Sequence, residues 1–384
     1  MFENKKIAIV YDWIDKWGGV ERVLLTLHEM FPRAHFYTSY FDQNTASWAK
    51  KLTIHSSFIQ NLPNVLKKNR VLSIPLYPFA FESINFSSYD VVISVTSSFA
   101  KAVITKPSTL HLCYLLTPTR FLWTHVNEYL ESDFQKALVS PFKHYLKKWD
   151  FVASQRPDVV IALSESIRKR CKKFYKRNSQ VIYPPFDAEY WTQIKSEILN
   201  PKSEANSNFK ILNDKYYLLV SRLEPYKRVD LAIKVFNELP DITLIVVGTG
   251  SLEKSLKNIA NRNIRFISYV SDEELAGLYA SAEALIMPQE EDFGYVSLEA
   301  QFFGCPVVAF GKGGATETVL SDKTGVFFSL QTVSSLKKAL EQFHTMSYNL
   351  KVGTQKIGVN HVQKFDKSIF KNSFLETIHQ SLKL

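Results

Sequence analysis

Short apolar runs, each followed by a polar turn and a segment with helical spacing, recur along this chain in two separate series. This pattern limits the fold most, because repeated strand–helix alternation builds a parallel sheet covered by helices. The first series opens at residues 6–13 (KIAIVYDW). A turn at 15–19 and apolar Val20, Val23, Leu24, Leu27 and Phe31 follow at helical spacing, and Pro32 stops the helix. Further strands are expected at 90–95 and 157–163. Pro184 and Pro185 break the alternation, and the polar stretch 200–215 reads as a linker. The second series has strands at 216–220, 241–248, 264–270, 284–288 and 306–310. The prediction is an α/β protein of two Rossmann-like, doubly wound parallel-sheet domains facing a cleft, where open sheets of this kind bind ligands. The expected division is 1–186, 187–365, and a C-terminal helix at 366–384 packing back on the first domain.

At 384 residues and 46% hydrophobic content, the chain is long enough for two domains with proper cores. No stretch approaches about 18 uninterrupted apolar residues, and the N-terminus carries no signal-peptide pattern, so a cytoplasmic protein is expected. Cys113, Cys171 and Cys305 are scattered without paired spacing and fit reduced thiols. The net charge of +10 is uneven. Residues 1–186 hold 25 Lys and Arg against 14 Asp and Glu, whereas the remainder holds 22 against 23. A basic half beside a neutral half predicts that the first meets an anionic surface.

Residues 287–310 (MPQEEDFGYVSLEAQFFGCPVVAF) contain the first candidate site. A strand ends at Pro288, an acidic loop follows, and a helix is predicted from about Gly294 to Phe303, ended by Gly304 and Pro306. Glu291 precedes this helix and Glu299 lies inside it. Eight helical residues rise roughly 12 Å, so the carboxylates are expected on the order of 10 Å apart. That is too far for a shared proton and suits the two ends of a nucleotide-sugar. Glu290 and Asp292 read as flanking residues. Phe293, Gly294, Tyr295 and Val296 offer backbone amides at a helix start, where an anion is favoured. Arg222 and Lys227 follow the strand at 216–220 and would supply the fixed cations that a leaving diphosphate needs. Gly18 and Gly19 open the first helix and could bring amides to a phosphate. Gly248-Thr249-Gly250 reads as a tight strand–helix turn, since Glu253 stands where a dinucleotide fingerprint needs glycine. No cluster with metal-ligand spacing occurs, so neither metal nor cofactor is expected.

WGGVER at 17–22, YPPFD at 183–187, SRLEPYKRVDLAI at 221–233, VGTGSLEKSL at 247–256 and EDFGYVSLEA at 291–300 together resemble the retaining glycosyltransferases of family 4, which have the GT-B fold. The likeness is to their mannosyltransferase-like branch and covers almost the whole chain. It implies that Arg222 and Lys227 bind the donor diphosphate, Glu291 the transferred sugar and Glu299 the ribose. Residues 293–296 would make backbone contacts, and Val270 would lie beside the base. It also implies that the donor's own phosphate oxygen accepts the acceptor's proton. The chain departs from the family at 113–124 (CYLLTPTRFLWT), where Leu116 replaces a histidine thought to reach the reacting centre. Thr117, Pro118 and Arg120 remain, making Arg120 a candidate contact to donor phosphate or acceptor. His111 and His125 are nearby but out of register, and a lone histidine is more often structural.

Residues 57–81 mix aromatic and aliphatic side chains with Lys67, Lys68 and Arg70, and residues 167–177 carry seven cations. Both segments suit peripheral attachment to an anionic membrane face beside a lipid-linked acceptor. They also suit a packed loop and a solvated helix. No nucleic-acid motif accompanies the charge, so nucleic acid is not an expected partner. The expected activity is transfer of a hexose, mannose from a GDP donor, to a glycan or lipid-linked saccharide. The alternatives are a nucleotide-sugar-binding protein with little activity, motivated by Leu116, and a nucleotide-sugar epimerase.

Overall fold

The computed structural model describes residues 5–124, 133–198 and 215–382. The chain forms two compact units, Met1–Pro185 with Ser368–Leu384, and Phe186–Lys367.

The first unit is built on a seven-stranded sheet ordered β3-β2-β1-β4-β5-β6-β7. Its strands are β1 (Ile7–Tyr11), β2 (His35–Thr38), β3 (Thr53–Ser56), β4 (Val91–Thr96), β5 (Leu110–Leu115), β6 (Val159–Ala162) and β7 (Gln180–Val181). Every pairing is parallel, with Ile9 of β1 between Phe36 and Ile93. Ala8, Ile9, Val10 and the whole of β4 are buried, which is why these strands read as continuous apolar runs. Asp12 ties the ends of β1 and β4 together. Its carboxylate accepts from the backbone N–H groups of Ser97, Ser98, Phe99 and Ala100 at 2.7–3.0 Å and from the Thr96 hydroxyl at 2.9 Å. The helix Lys367–Ser381 brings Phe370 and Phe374 against Tyr114 of β5, at 5.7 and 6.2 Å between ring centres.

The second unit repeats the plan with six strands ordered β10-β9-β8-β11-β12-β13. They are β8 (Tyr216–Val220), β9 (Thr243–Val247), β10 (Ile264–Ile267), β11 (Leu285–Met287), β12 (Val307–Phe310) and β13 (Gly325–Phe328). All pairings are again parallel. In both sheets the chain winds outward from its first strand, then returns to wind the other way. Loops leaving β1 and β4, or β8 and β11, therefore diverge and leave a crevice at the carboxyl ends.

The structure is the predicted pair of doubly wound sheets, with one correction to the linker. The chain passes between units at Pro185 and Phe186, and the helix Ala188–Ile198 already packs in the second unit through Trp191 on Phe303. The rigid Pro184-Pro185 pair, rather than the polar stretch, marks the boundary. Of that stretch, residues 200–214 lie outside the described residues.

Candidate active site

In the second unit the carboxyl ends of β8 and β11 stand side by side where the strand order reverses. Beyond β8, Pro225 starts a single 3-10 turn, Pro225–Lys227, which Arg228 ends in the left-handed region at φ 52°. That turn carries Lys227, which forms an ion pair with Glu291 from the loop after β11. Both side chains are largely covered, at 13% and 16% exposure, so the pair sits at the mouth of the crevice rather than in open solvent.

Glu291 is held at both ends. Its carboxylate also accepts from Gln289 Nε2 at 2.8 Å, and its carbonyl accepts from Gly314 N–H at 2.7 Å. Arg222, exposed, donates to Tyr226 Oη at 2.6 Å, while Lys227 Nζ stands 5.4 Å from the same ring's centre. Tyr226 therefore spaces the two cations. The Gly248–Gly250 turn lies directly beneath this loop, with Leu223 N–H donating to Thr249 O at 2.9 Å.

The helix Tyr295–Phe302 begins one residue later than predicted because Gly294 adopts φ 98°, a left-handed conformation that turns the chain before the first helical residue. Only the stretch from Tyr295 to Glu299 rises as a helix, about 6 Å. The predicted helical rise between the two carboxylates is corrected accordingly, the rest of the separation being loop. Phe293 is buried, with its ring against Tyr295 and Phe365, so its backbone is what it can offer a ligand. Tyr295 and Val296 are half-buried.

Glu299 is 2% exposed, and its Oε2 accepts from Tyr279 Oη at 2.9 Å. Tyr279 belongs to the helix Asp272–Ser281, which Ser271 and Glu274 close with a capping box. Val270 immediately precedes that cap and is half-buried.

Gln289, Tyr226, Tyr279 and the Gly313-Gly314 pair are site features that sequence reading missed. Only the glycines carried a signal, as a turn following the apolar run 306–310. A side chain on Gly314 would stand 2.3 Å from the Phe293 Cα, so the loop bearing Glu291 rests backbone to backbone on this turn. Among the described residues no three His, Cys, Asp or Glu side chains gather as a metal site needs.

In the first unit, Gly18 caps the helix Gly19–Met30 in extended backbone beside exposed Trp17. Arg120 opens the short helix Arg120–Trp123, which a buried network holds in place. Asp150 is its hub, accepting from Lys101 Nζ (2.6 Å), Thr119 Oγ1 (2.7 Å), Trp123 Nε1 (2.7 Å) and Tyr175 Oη (2.8 Å). Leu116 is buried at the end of β5. His111 is a core residue on Ser94 Oγ at 2.8 Å, its pKa pushed down to about 3 by burial and then by the Arg156 and Arg177 charges. His125 lies outside the described residues. The three cysteines are buried, and burial pushes the Cys113 and Cys305 thiols up to about 12.

The helix Glu165–Tyr175 buries Ile167, Cys171 and Tyr175 on one stripe and carries its cations around the rest. In the segment 57–81, Leu66, Val71, Leu72, Ile74 and Pro75 line an apolar cavity of about 150 Å³, closed by Phe142 and Leu146 from the helix Asp133–Ala153. No helix of the described residues is long and apolar enough to cross a membrane.

Residues 17–190 match the family model for Glycosyltransferase Family 4, and residues 202–353 match that for Glycosyl transferases group 1. A GDP-mannose-dependent monoacylated alpha-(1-6)-phosphatidylinositol monomannoside mannosyltransferase of Corynebacterium glutamicum is 33% identical over 31% of this chain and 35% of its own. A GDP-mannose-dependent alpha-(1-6)-phosphatidylinositol monomannoside mannosyltransferase of Mycolicibacterium smegmatis is 35% identical over 32% of this chain and 36% of its own. The chain thus spans about a third of the length of these curated relatives. The crystal structure of Anabaena HepE in complex with UDP superposes over 98% of this chain and 100% of its own, with a TM-score of 0.69 at 18% identity, a likeness of fold. Two successive family models over most of the sequence, with the doubly wound architecture in each unit, show that the chain belongs to glycosyltransferase family 4 and has the GT-B fold.

Proposed function

We propose that this protein is a retaining, metal-independent hexosyltransferase that moves mannose from a GDP donor to a glycan or lipid-linked saccharide. The observation that carries this reading is the Lys227–Glu291 pair at the carboxyl ends of β8 and β11, with Arg222 beside it. A donor diphosphate gives Lys227 a doubly charged partner. Glu291, still held by Gln289 and Gly314, then has carboxylate oxygens to accept from sugar hydroxyls. In the reaction the bond from the anomeric carbon to the diphosphate oxygen breaks, and its electron pair stays on that oxygen. Arg222 and Lys227 stabilise the charge that develops there. The acceptor oxygen bonds the anomeric carbon on the same face and passes its proton to the departing phosphate oxygen, which gives retention.

Residues 293–296 contribute backbone amides at the helix start. Glu299, with one oxygen fixed by Tyr279, takes ribose hydroxyls, and Val270 lies beside the base. Gly18, Gly19 and Arg120 are proposed donor contacts of the first unit. GDP and mannose are supported by the names of the relatives from Corynebacterium glutamicum and Mycolicibacterium smegmatis. The apolar cavity and the cations Lys67 and Lys68 beside it support peripheral attachment to the cytoplasmic face of an anionic membrane. Binding to vesicles that ignores anionic lipid and salt would count against that attachment.

The deciding experiment is product analysis of the purified protein with a panel of nucleotide-sugars and lipid-extracted acceptors. An α-mannoside formed from GDP-mannose supports the reading. Tight donor binding with neither transfer nor slow hydrolysis would establish the binding-protein reading that Leu116 favours. A free, epimerised nucleotide-sugar would establish an epimerase.

A further inference from the structure

At the outer edge of the first unit's sheet, two histidines on neighbouring strands bring their ring nitrogens together. β2 and β3 pair in parallel, with His35 opposite Thr53 and Tyr37 opposite His55. Alternate residues of a strand share a face, so His35, Tyr37 and His55 project on the same side of the sheet. Aromatic neighbours hold both rings. His55 stacks on Tyr37, with ring centres 5.0 Å apart and planes at 23°, and Tyr89, on the approach to β4, stands edge on to His35 at 6.3 Å. His35 Nδ1 lies 3.2 Å from His55 Nε2 and also 3.2 Å from Tyr89 Oη. A ring nitrogen carries either one hydrogen or one lone pair, so Nδ1 serves one of these partners fully and not both. Tyr89 Oη in turn meets Tyr37 Oη at 2.8 Å.

We infer that His35 and His55 chelate a divalent transition-metal ion of the zinc, copper and nickel class, with Tyr89 beside it. Zinc holds an imidazole nitrogen at about 2.0–2.1 Å, which sets two ligands of a tetrahedral ion about 3.3 Å apart. The two ring nitrogens, at 3.2 Å, already stand at that spacing. The ion takes the place of the hydrogen between the rings. The ring hydrogens then sit on His35 Nε2 and His55 Nδ1, and no proton leaves the protein. With Tyr37 Oη donating to it, Tyr89 Oη keeps a lone pair for the ion or for a water bound to it. Only two of the donors are imidazoles. The site is therefore an open chelate completed by water, not a gathering of three or four acidic, histidine or cysteine ligands. Imidazole selects zinc, copper and nickel over magnesium and calcium, which take oxygen ligands. Both histidines are exposed, so the ion enters from solvent. Bound there, it ties β3, the polar edge strand, to β2. The site uses no residue of the candidate active site and stands apart from the transferase reading.

The test is calorimetric titration of the full chain with zinc chloride, after a chelator has stripped and been removed from the protein. One zinc ion per chain should bind at a site that His35→Gln and His55→Gln each weaken by at least about tenfold, since even outer partners of a metal ligand are worth that much. Glutamine keeps a polar, hydrogen-bonding side chain without the imidazole, so melts of both variants in chelator should match the parent's. Zinc should raise the melting temperature of the parent and not of the variants. Magnesium at the same concentration should do neither. Either variant decides the matter where the other folds poorly. A zinc response of parent strength in the variants, as from the chain's other histidines, overturns the inference. So does a parent protein that shows no saturable zinc binding, or one that takes magnesium as readily as zinc.

Discussion

Lys101–Asp150 in the first unit and Lys227–Glu291 in the second are the same chemical pair in different surroundings. The first is closed off, at 1% and 0% exposure, with every oxygen of Asp150 occupied by Lys101, Thr119, Trp123 and Tyr175. The second lies at a sheet's carboxyl edge, where Lys227 can exchange its partner for another anion. A lysine–carboxylate pair is therefore structural when its remaining hydrogen bonds are met inside the protein. It becomes functional when a ligand can compete for the cation.

The largest expected effect tests the interior pair. Asp150→Ala removes the carboxylate paired with buried Lys101, leaving its Nζ the Ser98 carbonyl and the Thr119 hydroxyl, and should cost about 3–5 kcal/mol in urea unfolding. A loss below about 1 kcal/mol would remove the contrast. Next come Lys227→Ala and Glu291→Ala, which should lower turnover about 100- to 1,000-fold while costing less unfolding free energy than Asp150→Ala, because this pair keeps some access to solvent. Equal losses of stability and rate would make the second pair structural too.

Gly314→Ala pushes a methyl group into the Phe293 backbone. It should cost about 1–3 kcal/mol and weaken nucleotide binding, because the loop that carries Glu291 must move. Unchanged nucleotide affinity would show that the loop is positioned by other contacts.

The last effect is one of pH, and it is the smallest only near neutrality, where the dependence vanishes. His111 is held neutral by burial, with a folded pKa of about 3 against 6.5 when unfolded. Between those values the unfolded chain binds a proton that the native protein does not. The contribution is thus complete above about pH 6.5 and is lost as pH falls towards 3, by about 1.4 kcal/mol per unit. His111→Gln should flatten the acid side of the stability profile, and a slope identical to the parent's would refute the assignment.

Most of the legible strands were buried on both faces, such as β4, β8 and β12, where covalent sequence and environment agree residue by residue. β2, β3, β5, β7 and β13 escaped notice, β5 despite its burial. β3 is the polar TIHS at an edge, and β7 is two residues long, so their strand character comes from pairing with a neighbour rather than from composition. For the proposed site, spacing and motif single out Glu291, Glu299, Arg222 and Lys227, and the structure brings Lys227 and Glu291 together. Gln289 on Glu291, Tyr279 on Glu299 and Tyr226 between two cations were not legible, because a hydrogen bond across many residues leaves no local trace.

The amino-acid sequence determined the two doubly wound units and the residue types offered at each strand's end, because apolar periodicity and turn chemistry act over a few neighbours. The tertiary structure alone decided which lysine is locked in a core and which waits at a mouth. Burial and partner count are properties of the packed chain, and they set whether a charge is committed or available.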